Sequence, residues 1–168
     1  VGLVGNEWQE LGIAADSSEN YLQNDDLFKI SVVNTEDNPE YTSPNGVMGK
    51  LDPVYNIRAK EQSLSMKITD LPADHRTAAR KSLWDNENYM NYQSLKMFIH
   101  GDQNFPSDSV QVQFYIRMGN ISGETLNDYY EITKPIHAGW DERNWINLQF
   151  DDITSLKNEH FSDSSQYI

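Results

Sequence analysis

Residues 110–119, VQVQFYIRMG, constrain the fold more than any other stretch of this sequence. Val110, Val112, Phe114, Ile116 and Met118 recur at every second position, with Gln111, Gln113, Tyr115 and Arg117 between them. A period of two belongs to a strand with one buried face and is incompatible with a helix, whose period is 3.6. Gly119 and Asn120 end the alternation as turn residues do, and residues 128–133, DYYEIT, return after a short polar loop. The pair reads as a long hairpin at the centre of a sheet. A slip of one residue would bury Gln and Arg and expose every apolar side chain, so Val112, Phe114, Ile116 and Met118 are expected inside. Gln111, Gln113 and Arg117 are expected toward solvent or a polar groove. On this reading Phe114→Ala costs about 3–5 kcal/mol and Gln113→Ala little.

Further strands are expected at residues 1–15, weakly patterned around Trp8, and at 27–33 (LFKISVV), 62–68 (QSLSMKI), 94–100 (SLKMFIH) and 144–150 (NWINLQF). In the fourth of these, Leu95, Met97 and Ile99 form the inward set, with Phe98 on the other face as the rival. Residues 34–53 hold Pro39, Pro44 and Pro53, and Pro44-Asn45-Gly46 is a turn signal, so this segment is a long crossing loop or arm rather than a central strand. Residues 71–83, LPADHRTAARKSL, are the plausible helix, with Pro72 near its start and Asp74 complementing the dipole. A second short helix is expected after Asp151-Asp152, running through Ile153, Leu156 and Lys157. Irregularly spaced strands and long loops indicate an all-β, antiparallel β-sandwich of jelly-roll or galactose-binding-like type, with one or two short helices. Residues 1–55 read as N-terminal strands and an irregular arm, and 56–168 as the sandwich module.

Several chemistries are disfavoured by composition. The 26 acidic against 13 basic residues, net −13, repel a phosphate backbone, so no nucleic-acid partner is expected. With no cysteine there is neither a thiol nucleophile nor a thiolate metal site. No apolar run approaches the ~18 residues of a spanning helix, so no membrane segment is expected in this chain. His75, His100, His137 and His160 do not fall at ligand spacing, and no metal or other cofactor is expected. Adjacent acids at Asp25-Asp26, Glu36-Asp37, Asp141-Glu142 and Asp151-Asp152 could do acid–base work or bind calcium, yet read more simply as loop acids and a helix cap. No Gly-x-Ser-x-Gly setting or phosphate-binding glycine loop occurs, so no catalytic residues are assigned and the chain is not read as an enzyme. Aromatic residues offer the one candidate ligand or partner surface. Trp84, Tyr129 and Trp140, exposed in a row, would make a sugar-stacking platform of the kind found in carbohydrate-binding modules.

From residue 56 onward the segments QSLSMKITDLPADHRTAARK, NYQSLKMFIHGD, VQFYIRMGN, DYYEITKPI and DDITSLKNE resemble the soluble modules of the SprA family, also called Sov. Upstream, ISVVNTEDNPEYTSPNGV resembles the stretch that leads into such a module. SprA is the outer-membrane translocon of the type 9 secretion system of Bacteroidetes. The resemblance implies a non-catalytic structural or interaction domain, galactose-binding-like in fold, within a giant β-barrel protein of the cell envelope. It would face periplasm or exterior. Its implied partners are exported cargo proteins and other translocon components, including a barrel that shuttles cargo and a plug protein. The family pattern continues with strands beyond the segment matching DDITSLKNE, so the chain reads as a fragment of something longer. The resemblance carries over no functional residue.

Overall fold

A computed structural model describes residues 8–82, 92–104, 112–122, 125–153 and 155. The chain is all-β, built of antiparallel ribbons with very little helix, as the alternating segments require. It divides into two compact units, Val1–Glu87 and Asn88–Ile168.

The first unit holds three ribbons. Strand β1 (Trp8–Ala15) pairs with β6 (His75–Lys81), β2 (Phe28–Asn34) with β5 (Gln62–Ile68), and the short β3 (Leu51–Asp52) with β4 (Ile57–Arg58). In β1 the register shifts between Glu10 and Gly12, a bulge. Gly12 sits at φ +104°, and a Cβ there would lie 2.1 Å from the Leu22 carbonyl oxygen, which is why Gly is required. That close approach lets Ile13 and Leu22 exchange both backbone hydrogen bonds, at 2.9 and 2.8 Å. The Glu10 carboxylate accepts the Ile30 N–H at 2.9 Å, so an acidic side chain from the first ribbon satisfies a strand donor of the second. Phe28 is fully buried, and Ala14 and Thr77 are buried with it in this unit.

The segment expected to be a helix, residues 71–83, contains β6 instead. Ala and Arg favour helices in isolation, but so short a stretch does not sustain one. Asp70 and Asp74 both lie in the left-handed region, at φ 47° and 57°, which breaks helical geometry where the first turn would form. β1 meanwhile offers a ladder from Trp8↔Lys81 to Ala15↔His75. Arg76 is fixed beside that ladder by the Glu19 carboxylate at 2.6 Å and the Ser18 carbonyl at 2.8 Å, with the Tyr21 ring 5.9 Å away.

Among the described residues the second unit holds two ribbons. Strand β7 (Ser94–Met97) pairs with β10 (Ile146–Gln149), and β8 (Gln113–Ser122) with β9 (Thr125–Pro135). The β8–β9 hairpin is the one the alternation predicts, but its turn lies later than expected: β8 runs on through Gly119 and Asn120, where the register shifts in a bulge rather than a turn, and β9 starts at Thr125. Phe114, Ile116 and Met118 lie half-buried on one face and Gln113 is exposed; Val110 and Gln111 lie outside the described residues. Because Phe114 is half-buried rather than buried, truncating it costs less than a full core deletion. Arg117 does not face water: its side chain is 12% exposed, bonded to the cross-strand Glu131 at 2.5 Å, with the Tyr115 and Tyr129 rings 5.1 and 4.5 Å away. On β7 and its continuation, Leu95, Met97 and Ile99 are half-buried while Phe98 is exposed, meeting the edge of the Trp145 ring at 5.0 Å. A 3-10 turn, Glu142–Asn144, precedes β10. Residues 150–153 are helical where the second short helix is expected, while Leu156 and Lys157 lie outside the described residues.

Asn144, 1% exposed, ties this unit together. Its Oδ1 accepts the His137 N–H at 2.7 Å, and its amide N–H groups reach the carbonyls of His137 at 2.7 Å, Gly139 at 3.1 Å and Ile99 at 3.3 Å. Beside it Gly101 and Gly139 exchange backbone bonds, and a Cβ on Gly101 would lie 2.2 Å from the His137 oxygen.

Two stability outcomes follow. Phe28→Ala is expected to lose about 3–5 kcal/mol in urea denaturation and Lys29→Ala less than about 0.5, since only the first opens a cavity; equal losses would contradict the assigned core. Asn144→Ala is expected to cost at least about 2 kcal/mol through the buried backbone groups it strands. Asn144→Asp keeps the acceptor for His137 but turns a second oxygen on three carbonyls. The pKa of that carboxyl is therefore raised in the fold, so the variant is expected to be more stable at acid pH and to lose stability as pH rises through that value. A flat difference from wild type across pH would show that the amide donors are not needed.

Candidate interaction surface

Of the three aromatic residues that the sequence nominates as a surface, Trp84 lies outside the described residues. Tyr129 is half-buried on β9, its ring over the Arg117 guanidinium that Glu131 holds. Trp140 is also half-buried, and its ring meets His100 edge-on at 4.9 Å and 72°. It follows directly on Gly139, at φ 72°, and so depends on the Asn144 carboxamide for its position. Tyr129 and Trp140 thus each engage a cationic or imidazole neighbour of their own.

Of the paired acids, Asp37 and Asp141 are held in structural bonds. Asp141 caps the 3-10 turn by accepting the Arg143 N–H, and its two oxygens take the Arg143 guanidinium at 2.9 and 2.6 Å. That guanidinium holds the Asp141 carboxyl well below the usual range. Among the described residues, no group of three His, Asp or Glu is arranged to hold a metal ion, and no helix is long and apolar enough to cross a membrane.

A different surface emerges in the arm between β2 and β5. The sequence marks this stretch as irregular, but its middle is an ordered hairpin. Asp52 Oδ1 accepts the N–H groups of Val54 at 2.8 Å and Tyr55 at 3.1 Å, an Asx turn that Asn56 closes at φ 53°. The Arg58 guanidinium donates to the Gly49 carbonyl at 2.9 Å, and Ala59 N–H to the Lys50 carbonyl at 2.8 Å. This scaffold displays Val54 at 80% and Tyr55 at 73% exposure, with Met48, Leu51 and Ile57 also exposed. An open groove of about 490 Å³ runs beside Lys50, Leu51, Asp52, Pro53, Tyr55 and Ile57. Scattered exposed apolar residues are ordinary, whereas several on one small fixed element mark a contact site. The signal in the sequence was large apolar residues interleaved with turn formers, MGKLDPVYNI, where loops are usually polar.

Residues 1–159 match the sequence model of the SprA_N family, described as motility related/secretion protein. The chain belongs to the SprA_N family. No curated protein and no solved structure matches it. In this SprA_N chain the base of the arm is fastened from both sides. The buried Asn34 accepts the N–H groups of Glu36 at 3.0 Å and Asp37 at 2.9 Å, and donates to the Asp37 carboxylate at 2.9 Å. Asp37 in turn meets Lys60 Nζ at 2.7 Å. The Tyr41 hydroxyl donates to Glu61 at 2.5 Å and lies 2.6 Å from Ser63 Oγ; burial, helped by Glu61, raises its pKa.

Lys60, and after it Asn34, hold the Asp37 carboxyl below its ordinary value. The ionised form is the bonded one, so this contribution is present above the ordinary aspartate pKa and is lost as pH falls through the lower folded value. An NMR carboxyl titration is expected to show Asp37 titrating below the ordinary aspartate value, and Lys60→Met to raise it toward about 3.9. An unchanged Asp37 midpoint in that variant would remove the ion pair from the account.

Proposed function

We propose that the chain is a non-catalytic structural and interaction domain of a type 9 secretion translocon. The observation that carries this reading is the SprA_N match over residues 1–159, a family described by motility and secretion. The parent is then a giant outer-membrane protein that exports folded cargo and supports gliding, and this domain is a portion outside the bilayer, facing periplasm or exterior. Its partners are other translocon components and exported proteins. A jelly-roll or galactose-binding-like topology suits such a role, since two-layered antiparallel folds present long loops from a rigid frame.

Five acids bonded to neighbouring donors support a binding role rather than catalysis at those positions. Glu10 serves Ile30, Asp37 serves Lys60, Glu61 serves Tyr41, Glu131 serves Arg117 and Asp141 serves Arg143. A carboxylate committed to a neighbouring donor is a poor general base, because proton transfer needs reach to substrate and a suitably poised pKa. The exposed apolar features are instead those of a protein that works by contact.

Deleting the segment from the parent gene is expected to abolish export of cargo into the medium and spreading on agar, while transcription of the parent is unchanged. Normal export by a stably produced deletion protein would contradict the reading.

A further inference from the structure

We propose that the β3–β4 hairpin is a preformed contact that seats Val54 and Tyr55 in an apolar pocket, rimmed by carboxylates, on a partner protein; this rests on the reading of the chain as an interaction domain. Three features of the hairpin converge on this occupant. The tip is rigid before contact, because Asp52 accepts both N–H groups of the turn and Arg58 braces the opposite strand on Gly49. A preorganised apolar tip loses little conformational freedom on docking, and buried aromatic anchors of this kind carry most of the energy in protein interfaces.

The second feature is charge. The chain carries net −13, yet the stretch from Met48 to Lys60 has Lys50, Arg58 and Lys60 against Asp52 alone. Lys60 is neutralised by Asp37. Lys50 and Arg58 flank the apolar tip, and neither has a carboxylate partner among the described residues. Cations at the margin of an apolar contact are complemented by carboxylates across it. The chain's more distant acids are screened beyond a Debye length of about 8 Å at physiological salt.

The third feature favours a protein over a lipid surface. Asp52 is exposed at the tip and its carboxylate is what holds the turn. Inserting Val54 and Tyr55 into hydrocarbon would draw that charge toward the bilayer core, which is costly. A protein pocket can meet it with donors, and the groove beside Tyr55 and Ile57 gives a partner side chain a place to enter in return.

The experiment places the photo-crosslinking residue p-benzoylphenylalanine at position 55 of the full-length parent protein in living cells. A polypeptide adduct is expected, mapping by mass spectrometry to an apolar segment with Asp or Glu beside it. Adding Lys50→Glu, alone and together with Arg58→Glu, is expected to reduce its yield by about tenfold, and the single reversal, which leaves the Arg58 brace on Gly49 in place, reads rim complementarity. Folding of each variant is read from the protease resistance of the parent. An adduct that the charge reversals leave undiminished, a lipid adduct, or no adduct in a folded, exporting parent would overturn the proposal. Failure of the hairpin and of the wider reading remain distinguishable. If deleting the whole segment blocks export but position 55 gives no protein adduct, the hairpin assignment alone falls.

Discussion

The carboxamide of Asn144 is bonded on both of its ends, accepting from one backbone N–H and donating to three carbonyls. Everything around it in the second unit is irregular: the end of β7, the loop after β9 and the 3-10 turn. Such segments have no ladder to satisfy their peptide groups, and buried peptide groups without partners are strongly destabilising. One amide side chain supplies what a strand would have supplied, and in doing so sets the path on which Gly139 and Trp140 lie. Asn34 plays the same part at the end of β2 in the first unit, where it bonds the turn that opens the arm. A chain with short ladders and long loops is ordered by such polar pins as much as by Phe28 and Ile146.

Where apolar and polar residues alternate, the structure was legible in advance. The β8–β9 hairpin and β5 occur where the period of two places them, because register on a half-buried face is energetically steep. Legibility ended where pairing with a distant strand overrode local preference. HRTAARK is rich in helix formers, yet β1 supplies its hydrogen bonds from more than sixty residues away and the aspartates before it take left-handed geometry. Asn144 read as the first residue of a strand, since nothing local reveals that its side chain will meet His137, Gly139 and Ile99. Alternation alone put Arg117 toward solvent or a polar groove; the cross-strand Glu131 and two tyrosines that enclose it become neighbours only once register is known.

The candidate surface shows the same division. Aromatic content drew attention to Tyr129 and Trp140, but both rings are half-buried against Arg117 and His100. Among the described residues, Val54 and Tyr55, two of the most exposed apolar side chains, are on a stretch whose prolines suggested mere irregularity. Turn chemistry explains the difference. Asp52, Pro53 and Asn56 build a tight turn, and a tight turn leaves its central side chains, here Val54 and Tyr55, pointing away from the body that carries it. The chain belongs to a family described as motility related/secretion protein, and exposed apolar side chains on an ordered turn suit the contact role proposed for it.

The proposed contact requires the β3–β4 hairpin to be ordered in the free chain and covered in the assembled translocon. Amide hydrogen exchange across residues 48–59, compared between the isolated chain and the intact parent complex, tests this most directly. Slow exchange is expected at Ala59 in both, from its bond to Lys50, with protection at Val54 and Tyr55 already in the free chain from their bonds to Asp52 and marked further slowing at Val54, Tyr55 and Ile57 in the complex. Equal exchange at the tip in both states would contradict it.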